Sequence, residues 1–237
     1  MYAQTRHSDS TKPPVPPMAK PRTETMTVEF IKLASTLQKV KAGKTLFGEG
    51  DAAAAVFEVV QGIMKLYKLL PDGRRQIMGF VSTGHMIGCA QDDSYRYTAE
   101  AITEVTLTRY PRGQFDRLVD EVPGFARRVL AARAQDLQSA QDQMLLLGRK
   151  TALERIATFL LLLDTLQASP HMPEDVHVPM TRCDIADYLG LTIETVSRTL
   201  SKLKADRVIS LPSANQIKLL DLCRLQELAA GEVLELV

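Results

Sequence analysis

Cysteine is scarce in this chain of 237 residues, and long apolar runs are missing. Its three cysteines, Cys89, Cys183 and Cys223, stand far apart and form neither a metal-ligand spacing nor a disulfide framework, so a reducing cytoplasm is the expected setting. No segment approaches the roughly 18 apolar residues that span a bilayer. The first thirty residues also hold no apolar core of the signal-peptide kind, so neither export nor a membrane partner is expected. Charge of one sign is missing too. A formal net charge of +1 excludes a polycation that coats DNA unspecifically, but leaves room for a local site. No nucleophile–base pair, carboxylate dyad or phosphate-cradling glycine loop stands at useful spacing, which argues against an enzyme. What remains is an ordinary globular composition, 45% hydrophobic and 24% charged, in a chain long enough for one large or two modest domains.

The most informative stretch is Thr181–Lys204, TRCDIADYLGLTIETVSRTLSKLK. Thr181 can cap a first helix, with Asp184 three residues on in capping-box spacing. Ile185, Ala186 and Leu189 then recur on one helical face. Gly190 supplies the turn, and Thr192 can cap a second helix. On that second helix Val196, Leu200 and Leu203 make an apolar stripe, while Glu194, Ser197, Arg198 and Ser201 lie opposite, with Ile193 at the border. The pattern is a helix-turn-helix, whose second helix enters a DNA major groove. The free face suits base reading. Arginine can make two hydrogen bonds to guanine, glutamate can accept from the cytosine amino group, and an apolar side chain can touch a thymine methyl. Four basic residues against two acidic ones between Thr192 and Val208 add a modest local excess.

Residues 1–25, with KPPVPP and many Ser, Thr and Lys, have too little apolar pattern to offset the entropy of ordering and read as a flexible leader. A short helix is expected within 27–45. From there to Pro111 come short β-favouring runs, Thr45–Phe47, Val56–Val60, Ile63–Leu69, Gln76–Val81, Tyr97–Ala101 and Val105–Tyr110, punctuated by glycines and by the turn Pro71-Asp72-Gly73. This spacing predicts a compact barrel or roll. Beyond Pro111 the period turns helical. Leu130, Ala134, Leu137, Gln141 and Met144 follow a heptad-like seam, read as a dimerisation helix in which polar Gln141 fixes register. Gly148-Arg149-Lys150 marks a hinge. A helix over Thr151–Leu166, a short strand over Val176–Pro179 and a hairpin of Val208–Leu211 with Gln216–Leu219 complete a winged domain around the motif.

The string TRCDIADYLGLTIETVSR, and above all Glu194, Ser197 and Arg198, resembles the DNA-binding motif of the CRP/FNR superfamily of bacterial transcription regulators, in its FixK branch. Gly48–Asp51, Val56–Gly62 and Gly84–Gly88 are similar to the cyclic-nucleotide-binding β-roll of the same superfamily. The resemblance runs from about residue 27 to 221. It implies an α+β fold with an N-terminal β-roll (26–122), a long dimerisation helix (123–148) and a C-terminal winged helix-turn-helix (149–221), followed by a tail (222–237). It also implies a homodimer on a palindromic TTGAT-N4-ATCAA box, recruitment of RNA polymerase, and genes of low-oxygen or nitrogen metabolism. Ile193, Glu194, Ser197 and Arg198 would read bases, while Thr181, Arg182 and Lys202 would hold phosphates.

Three effector chemistries of the superfamily can be checked against the residues. Cyclic-nucleotide binders carry a glutamate and an arginine where this chain has His85 and Tyr97, and Arg96 would point to the opposite face of its strand. Iron–sulfur sensing needs a cysteine cluster in the leader, which has none. Haem could use His85 or Cys89 as axial ligands, but a lone histidine in a turn is more often a surface or packing residue. A regulator with no bound cofactor or metal is therefore expected, the alternative being a ligand-gated signalling module whose roll binds a small molecule. Cys183 would stand near a helix N-terminus beside Arg182, where thiolate is favoured and oxidation would set a negative charge near DNA phosphate. It is the candidate redox switch.

Overall fold

The computed structural model describes residues 34–89, 93–167, 175–213 and 215–231; the leader lies outside them. Eight strands build the N-terminal unit: β1 (Thr36–Val40), β2 (Thr45–Phe47), β3 (Ala55–Gln61), β4 (Met64–Leu69), β5 (Arg75–Val81), β6 (Met86–Ile87), β7 (Thr98–Ala101) and β8 (Val105–Pro111). They form two antiparallel sheets, ordered β1-β8-β3-β6 and β2-β7-β4-β5, which makes the expected roll. The roll differs from expectation at its start. Of the span 27–45 in which a short helix was expected, residues 27–33 lie outside the described residues, and within the rest Thr36–Val40 is an edge strand, not anticipated, paired to β8 from Thr36↔Arg109 to Val40↔Val105. The sequence TLQKV buries only Val40 fully, so long-range pairing decides its conformation.

Strand β3 shows how the roll joins the helices. Ala55, Phe57 and Val59 face the roll interior with Val105 and Leu107. Val56 faces the other way, into a cluster with Tyr110, Phe115, Leu118 and Phe125. The rings of Tyr110, Phe115 and Phe125 meet edge to face, an arrangement that aromatic quadrupoles favour. Gly62, at φ +97°, lets β3 turn into β4; a Cβ there would collide with the Glu104 carbonyl.

Helix α1 (Arg112–Glu121) leads to α2 (Pro123–Arg149), which has proline in its first turn. At 27 residues α2 is roughly 40 Å long. It runs through Gly148 and Arg149 and breaks at extended Lys150, the last residue of the expected hinge. Only Phe125 and Leu146 of α2 are buried, whereas Leu130, Leu137 and Met144 are 71%, 63% and 67% exposed. Ala134 and Gln141 are exposed as well. The seam is thus a bare apolar stripe along a helix whose other side packs on its own roll.

The C-terminal unit comprises α3 (Ala152–Gln167), β9 (Asp175–His177), α4 (Arg182–Leu189), α5 (Ile193–Ala205), β10 (Ile209–Ser213), β11 (Gln216–Leu219) and α6 (Leu222–Ala230). The wing sheet is ordered β10-β11-β9. Ile156, Leu160 and Leu163 of α3 join Ile185, Val196, Leu200 and Leu203 in one core. Leu225 and Ala229 enter that core too, so the helix after the wing packs with the domain.

Candidate nucleic-acid interface

The motif begins with a complete capping box. The Thr181 hydroxyl accepts the Asp184 backbone N–H at 3.0 Å, and Asp184 Oδ2 in return accepts the Thr181 backbone N–H at 3.2 Å. Two of the orphan donors at the start of α4 are thereby satisfied. Gly190 closes α4 at φ +62°, in the left-handed region where glycine is least strained. Thr192 then caps α5 by accepting the Thr195 N–H at 3.2 Å. Each of these local features follows from residue type and spacing, and each stands where the sequence put it.

The faces of α5 also separate as expected. Val196, Leu200 and Leu203 are buried, while Glu194, Ser197, Arg198, Ser201 and Lys202 are exposed. Ile193 is 46% exposed at the border. The Glu194 carboxyl is held below its ordinary range, first by its own backbone N–H and then by the Thr192 hydroxyl, with Arg198 one turn on adding to the effect. It is an ionised acceptor already oriented at a helix N-terminus.

The phosphate candidates fare unequally. Lys202 is exposed on the open face. Thr181 is exposed, but its hydroxyl also donates to Asp184 Oδ2 at 2.7 Å and is committed to the cap. Arg182 is half-buried, with Nη1 shut off from solvent and lacking a hydrogen-bond partner among the described residues, and burial lowers its pKa. Cys183 is exposed. Its Sγ lies 3.8 Å from the Asp187 carboxylate and 4.0 Å from Nη2 of Arg75 of the roll.

Sequence reasoning did not find the contacts that hold α4 in place. Lys65 of β4 and Arg75 of β5 reach Asp184 at 2.9 and 2.8 Å, and Arg75 also reaches Asp187. From the other side Arg155 donates to the carbonyls of Leu147, Lys150 and Leu189. Asp184 carried a local signal as a capping residue, but its partners lie more than a hundred positions away.

In the roll, the effector-site substitutions have structural roles. The Tyr97 hydroxyl accepts the Gly88 N–H at 2.9 Å, and burial pushes Tyr97 up to about 12. Phe47 stacks on Tyr95 with centroids 3.8 Å apart, and on Phe57 at 5.9 Å. His85 Nδ1 lies 3.0 Å from the Ser82 carbonyl, and burial raises the Cys89 thiol. Among the described residues no cluster of His, Cys, Asp and Glu could hold a metal ion.

Comparison with known proteins decides the family. Residues 37–122 match the cyclic nucleotide-binding domain, and residues 154–228 match the Crp-like helix-turn-helix domain. The nitrogen fixation regulation protein FixK of Bradyrhizobium diazoefficiens is 43% identical over 80% of both chains. The chain belongs to the CRP/FNR family, in its FixK-like branch. The transcriptional activatory protein AadR of Rhodopseudomonas palustris is likewise 43% identical, over 86% of this chain and 84% of its own. The solved structure of FixK2 from Bradyrhizobium japonicum superposes with a TM-score of 0.76 at 41% identity, covering 82% of this chain and 96% of that one. As a member of the CRP/FNR family this chain is a DNA-binding transcription regulator and not an enzyme. Among the described residues no helix is long and apolar enough to cross a membrane.

Proposed function

We propose that two copies of the chain pair through α2 and present their α5 helices to a twofold-symmetric TTGAT-N4-ATCAA box, activating transcription without a bound effector. The observation that carries this reading is α5 itself, doubly anchored by its cap and buried stripe, with Glu194, Ser197, Arg198 and Lys202 open to solvent. The bare Leu130, Leu137 and Met144 stripe supports pairing, because an exposed apolar row of this length on a 27-residue helix asks for cover. The aromatic stack of Phe47, Phe57 and Tyr95, with Tyr97 bonded to Gly88, supports effector independence. Activation and a nitrogen regulon follow what the relatives are named for, while contact with RNA polymerase and a low-oxygen regulon follow from the family resemblance; all belong to the proposal.

Within this reading Ile193, Glu194, Ser197 and Arg198 contact base edges, and Lys202 with Thr181 and Arg182 contacts phosphates. Arg198→Ala is expected to cost about 1–3 kcal/mol on the cognate box and to relax preference at one base pair. Lys202→Ala is expected to weaken specific and random duplexes alike and to reduce the salt slope by about one. Equilibrium titrations of both variants on both duplexes test the assignment; equal losses for Arg198→Ala on cognate and random DNA would refute it.

Cys183 is proposed as the point of redox control. Its exposure at the start of α4 admits oxidant, and a sulfinate or sulfonate there adds negative charge next in sequence to Arg182, one of the phosphate candidates of this reading. Peroxide is expected to lower DNA affinity at least about tenfold in the wild type and to leave Cys183→Ser unchanged. Equal inhibition of the two proteins would assign the effect to another residue.

A further inference from the structure

The buried charges of this protein are concentrated between its two units. Among the described residues only Lys65 and Asp184 are buried and ionisable with a charge at neutral pH, at 7% and 4% exposure. They face each other across the boundary between roll and helix-turn-helix. Lys65 Nζ lies 2.9 Å from Asp184 Oδ1 and 3.1 Å from Glu100 Oε1. Arg75 Nη2 reaches the same Asp184 oxygen at 2.8 Å and Asp187 Oδ2 at 2.8 Å, while its guanidinium sits 5.4 Å above the Tyr67 ring. Gln76 donates to the Asp187 carbonyl at 2.9 Å. Beside this polar patch Phe80 of β5 packs on Tyr188 and Phe159, at 5.0 and 6.0 Å. At the far end of α4, Gln143 of the long helix donates to the Tyr188 carbonyl.

Burying ions is a poor way to add stability, because lost hydration offsets most of the attraction. Apolar contacts could hold the two units together as tightly. Ion pairs instead impose direction, since any other docking leaves a buried charge without a partner. Asp184 makes the arrangement stricter still. Its Oδ2 caps α4 through Thr181 while its Oδ1 takes both cations of the roll, so one carboxylate fixes both the helix start and its place on the roll. Its pKa reflects the balance. Burial raises it, but hydrogen bonds from Thr181 and Lys65 and the Lys65 charge outweigh that, and the group stays below the ordinary carboxylate range. The polar contacts that Lys65, Arg75, Gln76 and Gln143 make to the helix-turn-helix all fall on α4 and leave the face of α5 open.

We propose that Lys65 and Arg75 are positioning residues for DNA recognition. Through Asp184 and Asp187 they latch α4 to the β4–β5 hairpin, which presets the angle and separation of the two α5 helices without a bound effector. The proposal rests on the reading of α5 as the DNA reader and of α2 as the dimer seam.

The test uses the full-length double variant Lys65→Met/Arg75→Gln, which removes both charges, nearly keeps the Lys65 volume and leaves the Asp184 cap in place. Affinity is measured for cognate half-sites separated by three, four and five base pairs and for a random duplex, and hydrogen exchange is followed without DNA. The latch predicts that the variant loses about tenfold or more on the four-base-pair spacing. Its preference among spacings collapses, binding to the random duplex changes little, and exchange rises in Arg75–Val81 and Arg182–Leu189. A variant that keeps wild-type affinity and spacing preference, or binds more tightly, overturns the proposal. So does a parallel loss on all duplexes together with exchange throughout the C-terminal core, which marks a folding role. If the wild type itself discriminates no box from random DNA, the DNA reading has failed. The exchange measurement then decides the latch alone, and unchanged protection of β5 and α4 overturns it.

Discussion

Leu137→Asp is expected to abolish pairing of the chain and, with it, tight binding to a two-half-site box. Leu137 is 63% exposed in the single chain and touches no core, so the substitution leaves each fold intact. In a paired α2 seam it removes two buried leucines, worth about 3–6 kcal/mol together, and sets two carboxylates against each other in a dry interface. At 1.4 kcal/mol per decade, the leucine loss alone weakens the dimer by roughly two to four orders of magnitude. Sedimentation of the wild type and the variant at micromolar concentration measures this directly. The variant should sediment as a folded monomer and give no discrete shift on the full box. A variant that remains dimeric would place the interface elsewhere, and the exposed row of Leu130, Leu137 and Met144 would need another partner.

Leu203→Ala and Lys202→Ala, one position apart, should have opposite effects. Leu203 is completely buried against the core of α3 and α4, and truncation there is expected to cost about 2–5 kcal/mol through lost burial and the cavity left behind. In a domain of this size each kcal/mol lowers the melting midpoint by about 4–8 °C. Affinity of the folded fraction for DNA should change little, because Leu203 points away from the open face. Lys202 is exposed, so Lys202→Ala should leave melting unchanged and weaken DNA binding. Thermal unfolding and DNA titration of both variants therefore check the orientation of α5. If both lose affinity without loss of stability, the helix faces have been assigned the wrong way round.

The parts of this fold that were legible in the sequence are those whose signals are local. A capping threonine, an acidic residue three positions on, a glycine at positive φ and an apolar stripe at 3.6-residue spacing all sit within Thr181–Leu203, and the structure realises each of them. The strands of the roll were likewise marked by β-branched runs between glycines. What stayed hidden depends on partners far away. Thr36–Val40 has no alternating pattern, exposes Leu37 by 74% and is a strand only because β8 offers an edge. Met86–Ile87 is too short for any period to show. Lys65 and Arg75 look like ordinary surface cations on alternating strands, and nothing within ten residues of either announces an aspartate 119 or 109 positions on. Arg182 illustrates the converse. Its motif position implies a phosphate contact, while packing half-buries it with one guanidinium nitrogen unpartnered among the described residues.

The most direct test of the central claim is a mobility-shift titration of the reduced, full-length protein, with no added ligand, on a TTGAT-N4-ATCAA duplex and on a scrambled duplex of the same composition. The proposed reading, whose box comes from the family resemblance, predicts one discrete complex of two chains per duplex, formed at least about a thousandfold more tightly on the box than on the scrambled sequence. Equal binding to the two duplexes by a folded dimer, or a specific shift that arises only when cyclic nucleotide is added, would contradict it.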